Sequence, residues 1–234
     1  MKKADLIVAL DVPNAEAMEA KLQELPDFIA WYKVGLELFC AEGPAALLPL
    51  KNRGKKIFLD LKLHDIPRTV GHAVKTAAAH GVHLMTVHAI GGRAMLEEAA
   101  KAAASCENPP KLVAVTTLTS LSQDDFSDLG IQRTVSEQAL ALGRLALSSG
   151  IDGLVTSAHE AKVLREEFPD ALLVVPGIRM PEGDVGDQKR VATPSFAIQQ
   201  GATHLVVGRP IVQAENPEVS AKAILEDMKK GDVQ

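Results

Sequence analysis

In the segment Phe58-Leu59-Asp60-Leu61-Lys62-Leu63-His64-Asp65, an aspartate and a lysine stand two residues apart inside an apolar run. If the run is a β-strand, alternation puts Phe58, Asp60 and Lys62 on one face and Leu59 and Leu61 on the other. Charges inside a fold are costly unless paired, and flanking carboxylates hold Lys62 as an ammonium, ready to donate a proton or stabilise an anion. A catalytic acid is the functional reading, and a buried ion pair that fixes the core layers is the structural one. Asp11 and Lys33, which close two neighbouring apolar runs, weigh towards function, because such a concentration of charge exceeds what packing requires.

Two further segments have the chemistry of anion sites. Gly208-Arg209 lies between Val207 and Pro210, so a glycine N–H, an arginine and a helix start follow directly on a strand. Gly91-Gly92-Arg93 competes with it and also reads as a turn with a surface arginine. Arg179 and Gln188 fall in a segment with glycines at 177, 183 and 186. Such a loop either closes over a phosphorylated ligand or is simply solvated. None of the seven histidines has metal-ligand spacing, so no metal is expected. His88 and His64 read equally as site or hydrogen-bonded structural residues, and Cys40 and Cys106 as packing residues. Thr156 and Ser157 have no evident base partner, which leaves nucleophilic catalysis unsupported.

The elements that must position these residues alternate along the chain. Apolar runs occur at Leu6–Leu10, Ile29–Val34, Ile57–Leu59, Leu84–Val87, Leu112–Val115, Gly153–Val155, Leu172–Val175 and Leu205–Val207. Between them, helical spacing covers 14–25, 36–52, 67–80, 91–105, 134–148, 158–168, 193–200 and 215–230. Eight such pairs without a compositional break predict a single-domain (β/α)8 TIM barrel over 1–234. The open α/β alternative calls for a glycine-rich turn after the first strand, where Asp11-Val12-Pro13-Asn14 stands instead. In a barrel the C-terminal strand ends form the active-site mouth. Those ends carry Asp11, Lys33, Asp60, Lys62, His88, Thr117 with Thr119 shortly beyond, Pro176-Gly177 and Gly208-Arg209, and the two long connections, 117–133 and 177–192, open on the same side.

Composition narrows the classes. With 47% hydrophobic and 24% charged residues the chain is globular, and a net charge of −5 with 3% aromatics disfavours nucleic acid as a partner. The apolar run that ends at Asp11 is too short for a secretory or membrane segment, so a cytoplasmic location and no membrane partner are expected.

The array Asp60-x-Lys62-x-x-Asp65, with Asp11, Lys33, Pro176-Gly177-Ile178-Arg179 and Val207-Gly208-Arg209, resembles the bacterial-type orotidine 5'-phosphate decarboxylases over nearly the whole chain. The stretch from Phe58 to Pro67 is its most specific part. The resemblance implies cofactor-free conversion of orotidine 5'-phosphate to uridine 5'-phosphate and carbon dioxide, the last step of de novo UMP synthesis. It also implies a homodimer. Asp60, Lys62 and Lys33 would form an alternating charge chain with Asp65 of the other subunit, and Asp11 and Lys33 would contact the ribose. Asp65 and Thr69 of the partner would complete the ribose side. Thr119 would hydrogen-bond the pyrimidine, and Arg179, Gln188, Gly208 and Arg209 would serve the loop and the phosphate. A related magnesium-dependent sugar-phosphate enzyme would place a carboxylate where Lys33 stands. A non-catalytic phosphate-binding barrel would have no use for Lys62 between carboxylates.

Overall fold

The computed structural model describes residues 4–180 and 192–232. Eight parallel strands close a barrel in sequence order: β1 (Asp5–Ala9), β2 (Trp31–Gly35), β3 (Lys56–Leu63), β4 (Leu84–His88), β5 (Lys111–Val115), β6 (Gly153–Val155), β7 (Leu172–Val175) and β8 (His204–Val207), the last pairing with the first. The barrel expectation therefore holds.

Period-two alternation divides the apolar residues into two cores. Inward-facing Ile7, Ala9, Trp31, Phe58, Leu84, Val113, Val115, Val155, Val174 and Val206 fill the barrel. Their chain neighbours, such as Val8, Tyr32, Val34, Ile57 and Leu59, face outward and pack under the helices. Parallel strands buried on both faces need such unbroken apolar runs.

Helices follow the strands as α1 (Ala15–Glu24), α2 (Leu36–Glu42), α3 (Leu48–Asn52), α4 (Pro67–Ala79), α5 (Arg93–Ala104), α6 (Gln123–Asp128), α7 (Val135–Ser148), α8 (Ala158–Glu167), α9 (Pro194–Gln199), α10 (Arg209–Val212) and α11 (Pro217–Gly231). Side-chain caps set several starts: Asn14, Thr134, Thr193 and Asn216 each accept a backbone N–H from the first turn. The helix expected over 36–52 is interrupted. It breaks into α2, a 3-10 turn over Gly43–Leu47, and α3, because Gly43 adopts φ 58° and Pro44 and Pro49 bring no N–H to an uninterrupted helix. The long connection after β5 contains α6, which Ser122 and Asp125 open with a reciprocal capping box. Cys40 is exposed, contrary to its expected packing role.

β3 departs most from the expectation. It runs to Leu63 rather than Leu59, and its pairing with β4 slips. Leu59 pairs with Met85 and Leu63 with Val87, so residues 60, 61 and 62 oppose Thr86 alone. Lys62 sits in this bulge at φ 51°, the only non-glycine positive φ among the described residues. A side chain there costs roughly 1–3 kcal/mol of backbone strain.

Candidate active site

The C-terminal mouth of the barrel opens on a cleft of about 440 Å³, and its lining includes Asp11, Lys33, Asp60, Lys62, Thr119, Arg179, Gly208 and Arg209. Eight of the residues expected from the sequence thus converge. A larger open groove of about 1050 Å³ between Lys51, Lys75 and Cys106 gathers none of the strand-end charges.

Four charges form a chain of alternating sign. The Lys33 ammonium donates to Asp11 Oδ1 at 2.8 Å and lies 3.8 Å from Asp60 Oδ2. The Lys62 ammonium donates to both Asp60 oxygens at 3.0 Å. Burial is graded along this chain: the side chains of Lys33 and Asp60 are 10% and 14% exposed, against 33% for Lys62 and 53% for Asp11. The inner cation is thus enclosed by carboxylates, while the Lys62 ammonium keeps an open side towards the cleft.

Neighbouring residues make the chain possible. Gly35 follows Lys33 on the same face of β2, and a Cβ there would lie 2.7 Å from Lys33 Nζ and 3.2 Å from Asp11 Oδ1. The missing side chain leaves the space in which that pair forms. Thr86 donates its hydroxyl to Asp60 Oδ1 at 3.0 Å and accepts the Lys62 backbone N–H at 2.7 Å. Neither Gly35 nor Thr86 was among the expected site residues, although both fall on inward positions, Gly35 at the end of β2 and Thr86 in the middle of β4, and that alternation was the available signal.

The rim is built by loops. Gly177 at φ 75° turns the chain out of β7. Ile178 then bridges to Ala192, with the Arg179 N–H donating to the Ala192 carbonyl at 2.9 Å and the Ala192 N–H to the Gly177 carbonyl at 3.2 Å. The stem of the long loop is therefore closed, and it fixes the buried Arg179, whose guanidinium also donates to the Ile178 carbonyl. Across the mouth, Gly208 precedes α10, and Gln213 joins Arg209 on the cleft one helical turn on. That four-residue spacing was legible in the sequence. Gln188 lies outside the described residues.

Asp65 and Thr69 do not reach this cleft within the chain. Both are exposed, Asp65 just before α4 and Thr69 in its first turn, and Asp65 Oδ1 accepts the Ile66 N–H at 2.6 Å. His88 stacks on His64 with ring centroids 5.6 Å apart. Burial, then His64 and Lys62, lower its pKa and keep it neutral, and its buried Nδ1 has no hydrogen-bond partner.

A closed parallel barrel with its charges at the C-terminal strand ends has the architecture of a (β/α)8 enzyme that works at that mouth. The chain belongs to the orotidine 5'-phosphate decarboxylase / HUMPS family, whose model matches residues 4–224. It is 47% identical to the orotidine 5'-phosphate decarboxylase of a Nostoc species over 235 residues, covering 97% of this chain and 98% of that protein. The counterpart from Moorella thermoacetica is 45% identical over 229 residues, 95% of this chain and 91% of that protein. The crystal structure of the orotidine 5'-phosphate decarboxylase from Lactobacillus acidophilus superposes with a TM-score of 0.86 at 39% identity, covering 96% of this chain and 99% of that one.

Proposed function

We propose that the chain decarboxylates orotidine 5'-phosphate to uridine 5'-phosphate without a metal or organic cofactor, with Lys62 as the proton donor. The observation that carries the reading is the Lys62 ammonium, held by Asp60 and open to the cleft. Breaking the C6–carboxylate bond releases carbon dioxide and leaves its electron pair on C6. A preorganised ammonium stabilises that charge and then transfers its proton to C6. Asp60 fixes the ammonium, and Lys33 neutralises Asp60 from the other side. Asp11 and Lys33 are assigned to the ribose, Thr119 to the base, and Arg179, Gln188, Gly208 and Arg209 to the phosphate and its loop. Phosphate binding remote from C6 supplies free energy for orienting the base and excluding water.

The magnesium alternative calls for a carboxylate in place of Lys33. Its ammonium instead lies between Asp11 and Asp60, the oxygens a divalent ion would need, and repels it. The direct test follows orotidine 5'-phosphate by absorbance with chelator present. Turnover should be unaffected by EDTA, and activity that EDTA removes and magnesium restores refutes the cofactor-free reading.

A cytoplasmic homodimer belongs to the same proposal, with Asp65 and Thr69 completing the partner's site. Their exposure supports it, as does Ile66 between them, an apolar side chain left 66% exposed. Among the described residues no helix is long and apolar enough to cross a membrane. Lys62→Ala and Asp65→Ala chains, each inactive alone, should recover activity on subunit exchange. Random reassociation gives about half heterodimers and leaves about one quarter of all sites intact. Exchange verified by mass without recovery overturns the shared site.

A further inference from the structure

We propose that Thr86 is a positioning residue that locks both ends of Lys62, which deepens the proposed function and rests on its assignment of Lys62 and Asp60. Thr86 lies inward on β4 and is 1% exposed, and it is the single residue that faces the three-residue bulge of β3. In an unbroken ladder the Lys62 N–H would find a carbonyl on the neighbouring strand. It donates instead to Thr86 Oγ1, at 2.7 Å.

A hydroxyl has one proton to give, and the amide can only donate, so that proton goes to the remaining partner, Asp60 Oδ1, 3.0 Å away. Asp60 in turn accepts from the Lys62 ammonium through both oxygens. The contacts close a ring: Lys62 N–H to Thr86, Thr86 to Asp60, Asp60 to Lys62 Nζ. One side chain therefore satisfies the amide left over at φ 51° and fixes the rotation of the carboxylate that aims the ammonium. A β-branched residue suits the task, because its χ1 is stiff. Thr86 does not line the cleft, so its effect passes through Asp60 and Lys62.

The experiment compares Thr86→Val, which keeps the shape and removes the hydroxyl, with Thr86→Ser, which keeps the hydroxyl and removes the methyl. For Thr86→Val, kcat for orotidine 5'-phosphate should fall by about ten-fold or more, while Kd for uridine 5'-phosphate changes by less than about three-fold. Thr86→Ser should restore kcat to within about three-fold of the parent. If circular dichroism shows that Thr86→Val does not fold, Thr86→Ala is read by the same criteria.

A valine variant with parental kcat, or a serine variant as impaired as valine, overturns the proposal, the latter by making packing the cause. Lys62→Ala assayed alongside separates the two levels. If it turns over normally, the assignment of Lys62 falls and Thr86 with it. If it is inactive while Thr86→Val is unaffected, only the role of Thr86 is lost.

Discussion

The two ends of the barrel interior are made from the same strands and solve opposite problems. At the N-terminal end, Trp31 on β2 is met edge-on by His83 and His204, at centroid distances of 6.0 and 5.7 Å, with Lys56 Nζ 5.1 Å from the indole. Lys33, two residues further along the same strand, enters the charge chain at the other end. Below, the strand pairing is regular and the plug is aromatic. Above, β3 bulges, a lysine takes a left-handed conformation, and cations and carboxylates alternate beside an open cleft. The strained non-glycine backbone of the barrel interior thus lies at the mouth, and the apolar layer from Ile7 to Val206 separates it from a floor that has only to close the barrel.

If this division holds, substitutions at the mouth should reduce turnover and spare stability, and substitutions at the floor should do the reverse. The largest effect is expected for Lys62→Ala. On the proposed mechanism it removes the proton donor and the cation facing C6, so kcat should fall about 10⁴-fold or more. Binding of uridine 5'-phosphate and the thermal midpoint should stay near parental, since the Lys62 side chain is a third exposed and Asp60 keeps Lys33 and Thr86 as partners. A variant with near-parental kcat would show that the mouth does not depend on Lys62 for turnover.

A smaller effect tests how tightly the mouth is built. Gly35→Ala brings no backbone strain, because Gly35 has φ −102°. Its new methyl, however, falls 2.7 Å from Lys33 Nζ. The ammonium must move out of the gap between Asp11 and Asp60, and a displacement of about 1 Å in such a site costs on the order of ten- to a hundred-fold in kcat/KM. Unchanged steady-state kinetics would mean that the charge chain tolerates rearrangement.

How much of this was legible in the sequence follows the same boundary. The eight strands and the barrel were readable because buried parallel strands are apolar runs between polar, helix-spaced segments. The convergence of Asp11, Lys33, Asp60 and Lys62 was readable because a barrel brings all its strand ends to one face. The bulge was not. The alternating residues 58–63 read as an ordinary strand, and the slip arises from pairing with β4, a long-range property with no local signal in Asp-Leu-Lys-Leu. The role of Thr86 is hidden for the same reason. Trp31 gives no signal of its own, because an aromatic residue in an apolar run is indistinguishable from any other core residue until the barrel shows which end it closes. The split of the helix expected over 36–52, in contrast, was written in Gly43, Pro44 and Pro49 and could have been read.

The smallest expected effect belongs to the floor and concerns pH. Burial, then Lys56, lowers the pKa of His83 below its ordinary 6.5. Burial also lowers that of His204, with Asp5 opposing and Lys56 adding to the shift. His83 Nδ1 accepts the Ile57 N–H at 3.2 Å, a bond that only the unprotonated nitrogen can make. As pH falls through 6.5, the unfolded chain takes up protons that the folded barrel refuses, so stability declines until the lower folded-state values are passed. Above 6.5 these rings are neutral in both states and contribute no slope. The thermal midpoint, followed from pH 8 to pH 5, should therefore drop on the acid side, by about 2–4 °C for each kcal/mol lost in a domain of this size. A chain carrying His83→Asn and His204→Gln should show a shallower acid slope while keeping its turnover at neutral pH. Some slope should survive, because His88 at the mouth is also held neutral and titrates in the same sense. An acid slope identical to the parent's would show that the floor histidines do not set the response, and a loss of turnover at neutral pH would show that floor and mouth are not independent.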